Sequence, residues 1–432
     1  MIRAAQARAL GSVSALAFGA AFTTALVPGL AAAGAFQLNE RSTKSQGMSF
    51  ADSVSGAKDV TYGLFNPAAF SKVDFLEMGG NVSIVAPVSD GRTTDLVGLP
   101  EGVSPEDVGA TGSTDADRSG VVPSLAIGYR VTDDLVVGFG TRTPFGLSTE
   151  NPDNFVGAGD GIQSTLTTIE AQSTVSYNVL DNLAVAGSLN VLFIDARLTS
   201  SALSLDGHEF EVGFSAGALW EPIPGTQIGV AYHHGYDIDI DGADIDFGPG
   251  FPNPALVGVE SSGVVSASLP ASVQVGITQA ITPDFRVSLE GRWIDWSAFD
   301  AIDIDEENFG VTASDPQDYE DSFFVAVGAE YDLFDHTSVR AGIAYDETPT
   351  QDFGSVEGRT VRVPDNDRVW FSLGASHDME MFGHQMTIDA AYSYLHAFED
   401  PEVVIRTGPF AGSTVTYEGA AHIFSIGGSV RF

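Results

Sequence analysis

The chain has 432 residues, no cysteine, and 58 Asp and Glu residues against 19 Lys and Arg, so its formal net charge at pH 7 is −39. This charge repels nucleic acid and anionic lipid surfaces, and the lack of cysteine excludes disulfides, thiolate metal sites and cysteine nucleophiles. Apolar residues make up 44% of the sequence but form no long apolar run after residue 33, which argues against a helical membrane protein.

Residues 1–33 have the pattern of a secretory signal peptide. Two arginines precede an apolar run over residues 10–30, and three alanines then supply a small-residue cleavage site. The run is rich in Ala, Gly, Ser and Thr and no basic cluster follows it, so a membrane-spanning helix is the weaker interpretation. We predict cleavage after Ala33.

Residues 34–73 form a Gly-, Ser- and Ala-rich segment without a strand pattern, which ends in Leu64-Phe65-Asn66-Pro67-Ala68-Ala69. Every later segment repeats one unit, an alternating strand followed by a turn or loop. We therefore predict that residues 34–73 are a plug, or hatch, inside the barrel that those strands form. Asn66, Pro67 and Ala68 are predicted to fix a turn of the plug against the wall, because proline lacks an N–H donor and the Asn side chain can supply one.

From residue 74 to residue 432, the period-2 alternation of apolar and polar residues predicts fourteen strands. They cover 75–87, 121–131, 135–142, 165–179, 183–198, 208–221, 226–241, 264–281, 285–300, 319–333, 337–346, 367–379, 385–399 and 414–432. Tight turns alternate with longer loops, which is typical of outer-membrane barrels. The sequence thus predicts an all-β fold, a 14-stranded antiparallel transmembrane β-barrel, in the outer membrane of a Gram-negative cell.

The size of this barrel fits the predicted plug. Fourteen strands enclose more space than their own side chains fill, so the lumen would leak unless something occupied it. The last strand ends in Phe432, and a terminal aromatic residue resembles the sorting signal that the barrel assembly machinery reads. We expect a monomer surrounded by outer-membrane lipid.

Several short motifs follow one another in a fixed order. They are Gly34-Ala35-Phe36-Gln37-Leu38-Asn39-Glu40, Asn66-Pro67-Ala68, Thr143-Pro144-Phe145-Gly146-Leu147, Leu269-Pro270-Ala271-Ser272, Trp293-Ile294-Asp295-Trp296-Ser297, Arg340-Ala341-Gly342-Ile343-Ala344-Tyr345-Asp346 and Val363-Pro364-Asp365-Asn366-Asp367-Arg368-Val369-Trp370. In number and order they resemble the FadL-type outer-membrane transporters of long-chain fatty acids and other hydrophobic compounds. The resemblance spans the whole chain after the signal peptide.

The resemblance implies a route for the ligand. A hydrophobic molecule is collected among the external loops, passes to a pocket in the barrel, and leaves sideways through a gap at strand three beside the hatch. The link between strands five and six is short, so we expect loops 143–164 and 242–263 to form the collecting site. Burial contributes about 0.8 kcal/mol per methylene, so an apolar pocket suits such a ligand better than a water-filled pore.

Strand three contains the residues predicted for the lateral opening: Gly138, Gly140 and Pro144. Glycine and proline weaken a strand ladder and tolerate bulges. The alternative is that the two glycines permit close packing against the plug.

The candidate ligand-binding residues are Arg368, Trp370, His396 and Phe145. Arg368 is predicted to lie near the external rim, where a guanidinium can bind a carboxylate with two hydrogen bonds, and His396 is predicted at the lumen mouth. Three charged pairs are assigned to the lumen: Glu290 with Arg292, Glu330 with Arg340, and Asp389 with Arg368. We interpret the first two as structural.

Two other motifs are interpreted as chance. Gly213-Phe214-Ser215-Ala216-Gly217 matches the hydrolase pattern G-x-S-x-G but lies in an alternating strand without a following helix, so no enzyme is predicted. Asp237, Asp239 and Asp241 begin like a calcium loop, yet Gly248 stands where a bidentate Glu is needed. No metal site is predicted, with calcium at these aspartates the weaker alternative, and no cofactor is expected.

The predicted function is outer-membrane transport of hydrophobic small molecules, first of all long-chain fatty acids. Uptake of aromatic hydrocarbons or alkanes by the same route is one alternative. A passive polar porin, which belongs to a different functional class, is the other.

Overall fold

A computed structural model describes residues 34–100, 102–116, 118–351 and 359–432. The predicted signal peptide, residues 1–33, lies outside the described residues. None of the helices formed by the described residues is long and apolar enough to span a membrane.

Fourteen antiparallel strands form a closed barrel, as predicted. They are β1 (Leu76–Val88), β2 (Gly120–Arg130), β3 (Leu135–Arg142), β4 (Gln163–Leu180), β5 (Leu183–Thr199), β6 (Leu203–Ile223), β7 (Thr226–His233), β8 (Ser272–Thr282), β9 (Phe285–Ile294), β10 (Ser322–Phe334), β11 (Thr337–Asp346), β12 (Arg368–Met381), β13 (His384–Ala397) and β14 (Ala420–Arg431). The first and last strands close the barrel through a continuous register from Glu77↔Arg431 to Val88↔Ala420. Because the first and last strands pair with each other, neither of them is an exposed sheet edge in lipid.

The alternation along each strand separates two surfaces of the wall. On β5, Ser188 and Asn190 are buried inside the barrel, whereas Leu189 and Val191 are exposed on the outside. Such a strand presents apolar side chains to lipid and polar side chains to the lumen. The same alternation in the sequence predicted the strands, and it is confirmed here.

Predicted strands seven and eight are too long. The wall strand β7 ends at His233 and β8 begins at Ser272, while Tyr236–Phe247 and Glu260–Leu269 form a separate outer hairpin. Pro270 separates the two parts of predicted strand eight, and it has no N–H to donate to a ladder. The alternation continues through the break, so the hairpin buries Ile238 and Ile240 against other outer segments.

Further strands lie at the long-loop rim of the barrel. They are Asp90–Asp95, Ser113–Asp115, Gly146–Glu150, Ala301–Glu306, Thr312–Pro316, Glu402–Val404 and Thr414–Tyr417. Four of them form a second sheet, which includes Thr414–Tyr417. The predicted last wall strand, 414–432, is therefore too long, because the wall strand begins at Ala420. At the opposite rim the strands are joined by tight turns.

Residues 34–73, the N-terminal segment, are almost entirely buried. They contain a short α-helix, Thr43–Gln46, and two 3-10 helices, Val60–Leu64 and Pro67–Lys72. Their polar groups bond to inward-facing groups of well-separated wall strands. Ser53 donates to Glu290 on β9 at 2.7 Å, and Ser49 lies 2.8 Å from the hydroxyl oxygen of Ser372 on β12.

Glycines let the wall approach this segment closely. A Cβ added to Gly342 on β11 would overlap the backbone of Met48, and one added to Gly229 on β7 would overlap the carbonyl of Val54. Gly291 on β9 faces outward, between the buried Glu290 and Arg292, and a Cβ there would meet nothing within 4 Å. The inner wall is therefore shaped to the N-terminal segment.

We predict that Gly342→Val destabilises the protein by about 1–3 kcal/mol, since it forces the N-terminal segment away from the wall. The measurement is the temperature at which the folded, fast-migrating band disappears on a denaturing gel. Gly291→Val is the matched control and should leave this temperature close to that of the wild type. Equal midpoints for the two variants would contradict the close packing at Gly342.

Candidate functional site

The wall is interrupted at the end of β3. This strand pairs with β2 only as far as Leu125↔Thr141. Gly146–Glu150 continues the strand after a bulge but pairs with β4. Among the described strands, residues 120–124 of β2 pair with β1 and have no partner on the side of β3. We call the space between residues 120–124 and Gly146–Glu150 the wall gap.

The N-terminal segment takes the place of β2 at this interruption. Gly146 N donates to the carbonyl of Phe36 at 2.9 Å, and Leu38 N donates to the carbonyl of Pro144 at 2.8 Å. Gln37 and Phe145 form an antiparallel bridge between these two bonds. The carbonyl of Pro144 and the N–H of Gly146 are thus paired with groups inside the barrel.

Two of the three residues predicted for the opening lie before the gap, in the part of β3 that is paired with β2. Gly138 and Gly140 still pair with β2, opposite Gly128 and Ala126. A Cβ on Gly138 would lie 2.7 Å from the ring of Phe70, and one on Gly140 would overlap the side chain of Leu64. Both glycines therefore permit close packing against the N-terminal segment.

Pro144 is the predicted opening residue that lies at the interruption itself. It has no N–H, so it cannot contribute a donor to a ladder with β2. Its carbonyl accepts from the N-terminal segment instead.

An aromatic cluster covers the interruption. Phe36 and Phe145 pack with Trp296, Phe299 and Tyr319, and the ring centroids of Phe36 and Trp296 are 4.9 Å apart. All five rings are buried among apolar side chains of the outer hairpin and neighbouring segments. Phe145 is predicted from the sequence as a ligand-binding residue, whereas its four partners are not, although Trp296 lies in one of the motifs.

Arg368 is paired with two carboxylates. Its Nη1 lies 3.1 Å from Asp365 Oδ1, and its Nη2 lies 3.4 Å from Asp346 Oδ2. Asp346 also accepts from Trp370 Nε1 at 3.2 Å and from Gly34 N at 3.0 Å. These bonds attach the start of the N-terminal segment to β11 and β12.

The predicted pair of Arg368 with Asp389 is wrong. Asp389 is opposite Ser376 on β12, eight residues further along that strand than Arg368. There its carboxylate lies 3.9 Å from Lys44 Nζ. The two other predicted pairs are present, with Arg292 Nη2 3.4 Å from Glu290 Oε1 and Arg340 bonded to Glu330.

A cavity of about 80 Å³ connects Arg368 with the interrupted strand. Leu147 and Thr149, which follow the interruption, form one side, and Val88 and Ala421 of the neighbouring wall strands form another. The cavity therefore lies between the predicted ligand-binding arginine and the wall gap.

The other predicted ligand-binding residues lie elsewhere. Trp370 is buried, with its ring centroid 5.8 Å from that of Phe50. His396 is exposed on the outer face of β13, stacked on Tyr394 at 6.0 Å. The predicted position of His396 at the lumen mouth is wrong, because Leu395 and Ala397 take the inward positions.

Asp237, Asp239 and Asp241 share the exposed face of the outer hairpin. Ser268 donates to Asp237 at 2.9 Å and Ser266 donates to Asp239 at 2.6 Å. Within the part of the chain that the structure describes, no group of three or more metal-ligating side chains is placed to hold a metal ion.

Asn66 fixes a turn of the N-terminal segment against β6. Its Oδ1 accepts from Ala68 N at 3.0 Å, which caps the 3-10 helix that begins at Pro67. Its Nδ2 donates to the carbonyls of Val54 at 2.8 Å and Ala218 at 3.0 Å. The predicted turn exists, but its wall contact is with β6.

Comparison with known proteins identifies the family. The model of the outer membrane protein transport protein family (OMPP1/FadL/TodX) matches residues 24–432. The chain belongs to this family. It is 26% identical over 443 residues to the 47 kDa outer membrane protein of Pasteurella multocida (strain Pm70), covering 94% of this chain and 96% of that protein. It is 23% identical over 418 residues to a long-chain fatty acid transport protein of Escherichia coli O6:H1 (strain CFT073), covering 87% and 90%.

Solved structures of the FadL/TodX family share the fold. A Pseudomonas aeruginosa FadL homologue superposes with a TM-score of 0.79 at 20% identity, covering 92% of this chain and 100% of that one. The Pseudomonas putida toluene transporter TodX gives 0.65 at 16% identity, with the same coverage. As a member of this family, the chain is an outer-membrane transport protein and not an enzyme.

For this family member we predict that Asn66→Ala loosens the turn at the start of the second 3-10 helix. Loss of the cap costs about 1 kcal/mol, and loss of the two other bonds adds to it. Amide hydrogen exchange should become faster at Asn66 and at residues 68–70. Asn253→Ala is the control, since the Asn253 side chain accepts a local bond from Ala255 N in an exposed loop. Unchanged exchange at Asn66 and residues 68–70 would show that the turn is held by other contacts.

Proposed function

We propose that this protein carries long-chain fatty acids across the outer membrane, by binding them in the barrel and releasing them sideways through the wall gap. The observation that carries the proposal is the departure of β3 from β2 at Arg142, beside a buried aromatic cluster. A long-chain fatty acid transport protein among the relatives supports this class of ligand. A lateral exit keeps the apolar chain out of water between the pocket and the lipid.

Residues 34–73 act as the hatch in this proposal, after a signal peptide of residues 1–33 and before a barrel of residues 74–432. The contacts of the hatch with β9, β12 and β6 support the assignment. We also propose that the protein works as a monomer and that Phe432 is read by the barrel assembly machinery.

Ligand entry requires the first residues of the hatch to move. Sites for small ligands have volumes of about 300–1,000 Å³, which is larger than the cavity of about 80 Å³ beside Arg368. Ala35 lines this cavity, and the next residue, Phe36, belongs to the aromatic cluster. A shift of these residues would extend the cavity towards the cluster, and it would break the bonds of the Gly34 and Ala35 amides to Asp346 and Asp365.

The absence of native cysteine allows a direct test of the lateral exit. Pro123→Cys and Ser148→Cys place one thiol on each side of the wall gap, and a cleavable bismaleimide can join them. We expect the joined protein to bind palmitate like the wild type, while uptake of labelled palmitate by cells falls to that of cells lacking the protein. Cleavage of the linker should restore uptake.

The control pair is Ser173→Cys with Leu189→Cys, two outward residues that face each other where β4 and β5 are fully paired. Joining them should leave uptake unchanged. Normal uptake by the protein joined across the gap would show that the ligand leaves by another route.

Parallel assays with toluene and an alkane report which hydrophobic ligand is taken up. A large ion conductance in planar bilayers would favour the polar porin.

A further inference from the structure

A belt of buried polar side chains runs along the inner wall from β3 to β9. In chain order it contains Arg142, Glu170, Gln172, Asn190, Ser215, His233, Gln274 and Arg292. Several of their polar atoms have no hydrogen-bond partner among the residues that the structure describes: Arg142 Nη1, Gln172 Oε1, Asn190 Oδ1, both amide atoms of Gln274, and Arg292 Nε. Buried polar groups are rarely left unpaired, because each such group costs free energy.

Arg41 of the hatch reaches this belt as a third arginine. It is 3% exposed, its Nη1 donates to the carbonyl of Leu64 at 3.4 Å, and its guanidinium lies 5.1 Å from the ring centroid of Phe65. Its Nε has no partner within the described ranges, and no described carboxylate forms an ion pair with it. Burial first, and then the charges of Arg142 and Arg292, hold the pKa of Arg41 below its ordinary value.

The carboxylates near the three arginines do not neutralise all of them. Glu170 accepts from Arg142 at 2.7 and 3.1 Å, and Arg292 Nη2 lies 3.4 Å from Glu290. Glu40 is next to Arg41, but burial raises its pKa to about 7, so its carboxyl is partly protonated at neutral pH. The group therefore retains positive charge inside the barrel.

Arg368 differs from Arg41 because it already has carboxylate partners. It is paired with both Asp346 and Asp365. A ligand carboxylate at Arg368 would have to displace these partners, whereas Arg41 forms no ion pair with a described carboxylate. Charge complementarity thus favours the group around Arg41 as the partner of an anion.

This group also lies on both sides of the wall gap. Arg142 is the last residue of β3 before the interruption. The carbonyl of Arg41 accepts from Ser124 Oγ at 2.9 Å, and Ser124 is on the unpartnered part of β2. A ligand that moves from the aromatic cluster to the gap therefore passes these arginines.

We propose that Arg41, together with Arg142 and Arg292, binds the carboxylate of an amphipathic ligand inside the barrel. The inference rests on the proposed transport function and adds the chemistry of the head group that the lumen recognises. Guanidinium groups form short, charge-assisted bonds with carboxylates, and the unpaired amide of Gln274 supplies a further donor. The hydrocarbon chain would lie among the aromatic rings.

The test uses the protein purified in detergent and palmitate labelled with carbon-13 at the carboxyl carbon. The carboxyl chemical shift, followed against pH, gives the titration midpoint of the bound ligand. A nearby cation favours the carboxylate, so this midpoint should be about one pH unit lower in the wild type than in Arg41→Gln. Arg41→Lys should restore most of the difference, and Arg197→Gln, which removes an exposed charge from the rim, should behave like the wild type.

A second readout compares palmitate with hexadecanol, which has the same chain length and no charge. Arg41→Gln should weaken palmitate binding about tenfold and leave hexadecanol binding unchanged, because a charge-assisted hydrogen bond contributes only for the anion. The fast-migrating band on an unheated gel shows that each variant is folded.

The outcomes separate this proposal from the transport function. If the wild type binds neither palmitate nor hexadecanol, the transport proposal and the anion site both fail. If it binds both and Arg41→Gln changes neither the midpoint nor the ratio of affinities, the anion site is wrong and transport stands. If Arg368→Gln moves both quantities and Arg41→Gln moves neither, the head group binds at Arg368 and the proposal is overturned.

Discussion

The backbone hydrogen bonds that join Phe36 and Leu38 to residues 144–146 are the interaction on which the rest of the site depends. An interrupted strand in lipid would expose unpaired N–H and C=O groups, each costing several kcal/mol. The N-terminal segment supplies partners for residues 144 and 146 from inside, so the bent chain is paired although residues 120–124 have no described strand partner on this side. The N-terminal segment and the wall gap therefore depend on each other, and a change in either should alter the other.

The N-terminal segment and the inner wall bury charges of both signs. Arg41, Lys44, Arg142 and Arg292 are buried, and so are the acids Glu40, Asp52, Asp59, Glu77, Glu170, Glu290, Glu330, Asp346 and Asp389. Exposed charges are screened beyond about 8 Å at physiological salt, whereas buried ones are screened much less. A positive site for an anionic ligand must therefore be local, as proposed for the three arginines, because the interior as a whole is not positively charged.

The sequence predicted the wall well because the alternation of apolar and polar residues reports which face of a strand is buried. It does not report height along the barrel, which depends on register with the neighbouring strand. For this reason the predicted pair of Arg368 with Asp389 is wrong. Asp389 on β13 lies opposite Ser376, eight residues beyond Arg368 on β12. The alternation also continues through Gly235, so it could not show that the chain leaves the wall there to form the outer hairpin. The aromatic partners of Phe145 come from segments far apart in sequence, and only the fold brings them together.

The hydrocarbon chain and the head group of a ligand contribute differently to the free energies of entry and exit. This difference explains why a buried arginine site can belong to a transport route. Transfer of the hydrocarbon chain from water into the barrel contributes about 0.8 kcal/mol per methylene, but transfer from an apolar pocket into lipid changes this term little. Entry is therefore strongly favourable, whereas exit depends on how tightly the head group is held. A charge-assisted hydrogen bond contributes about 1.5–3 kcal/mol, which retains the ligand without trapping it. Because Arg41 belongs to the N-terminal segment and Arg142 to the interrupted strand, any shift of one against the other would weaken the bonds to a carboxylate held between them.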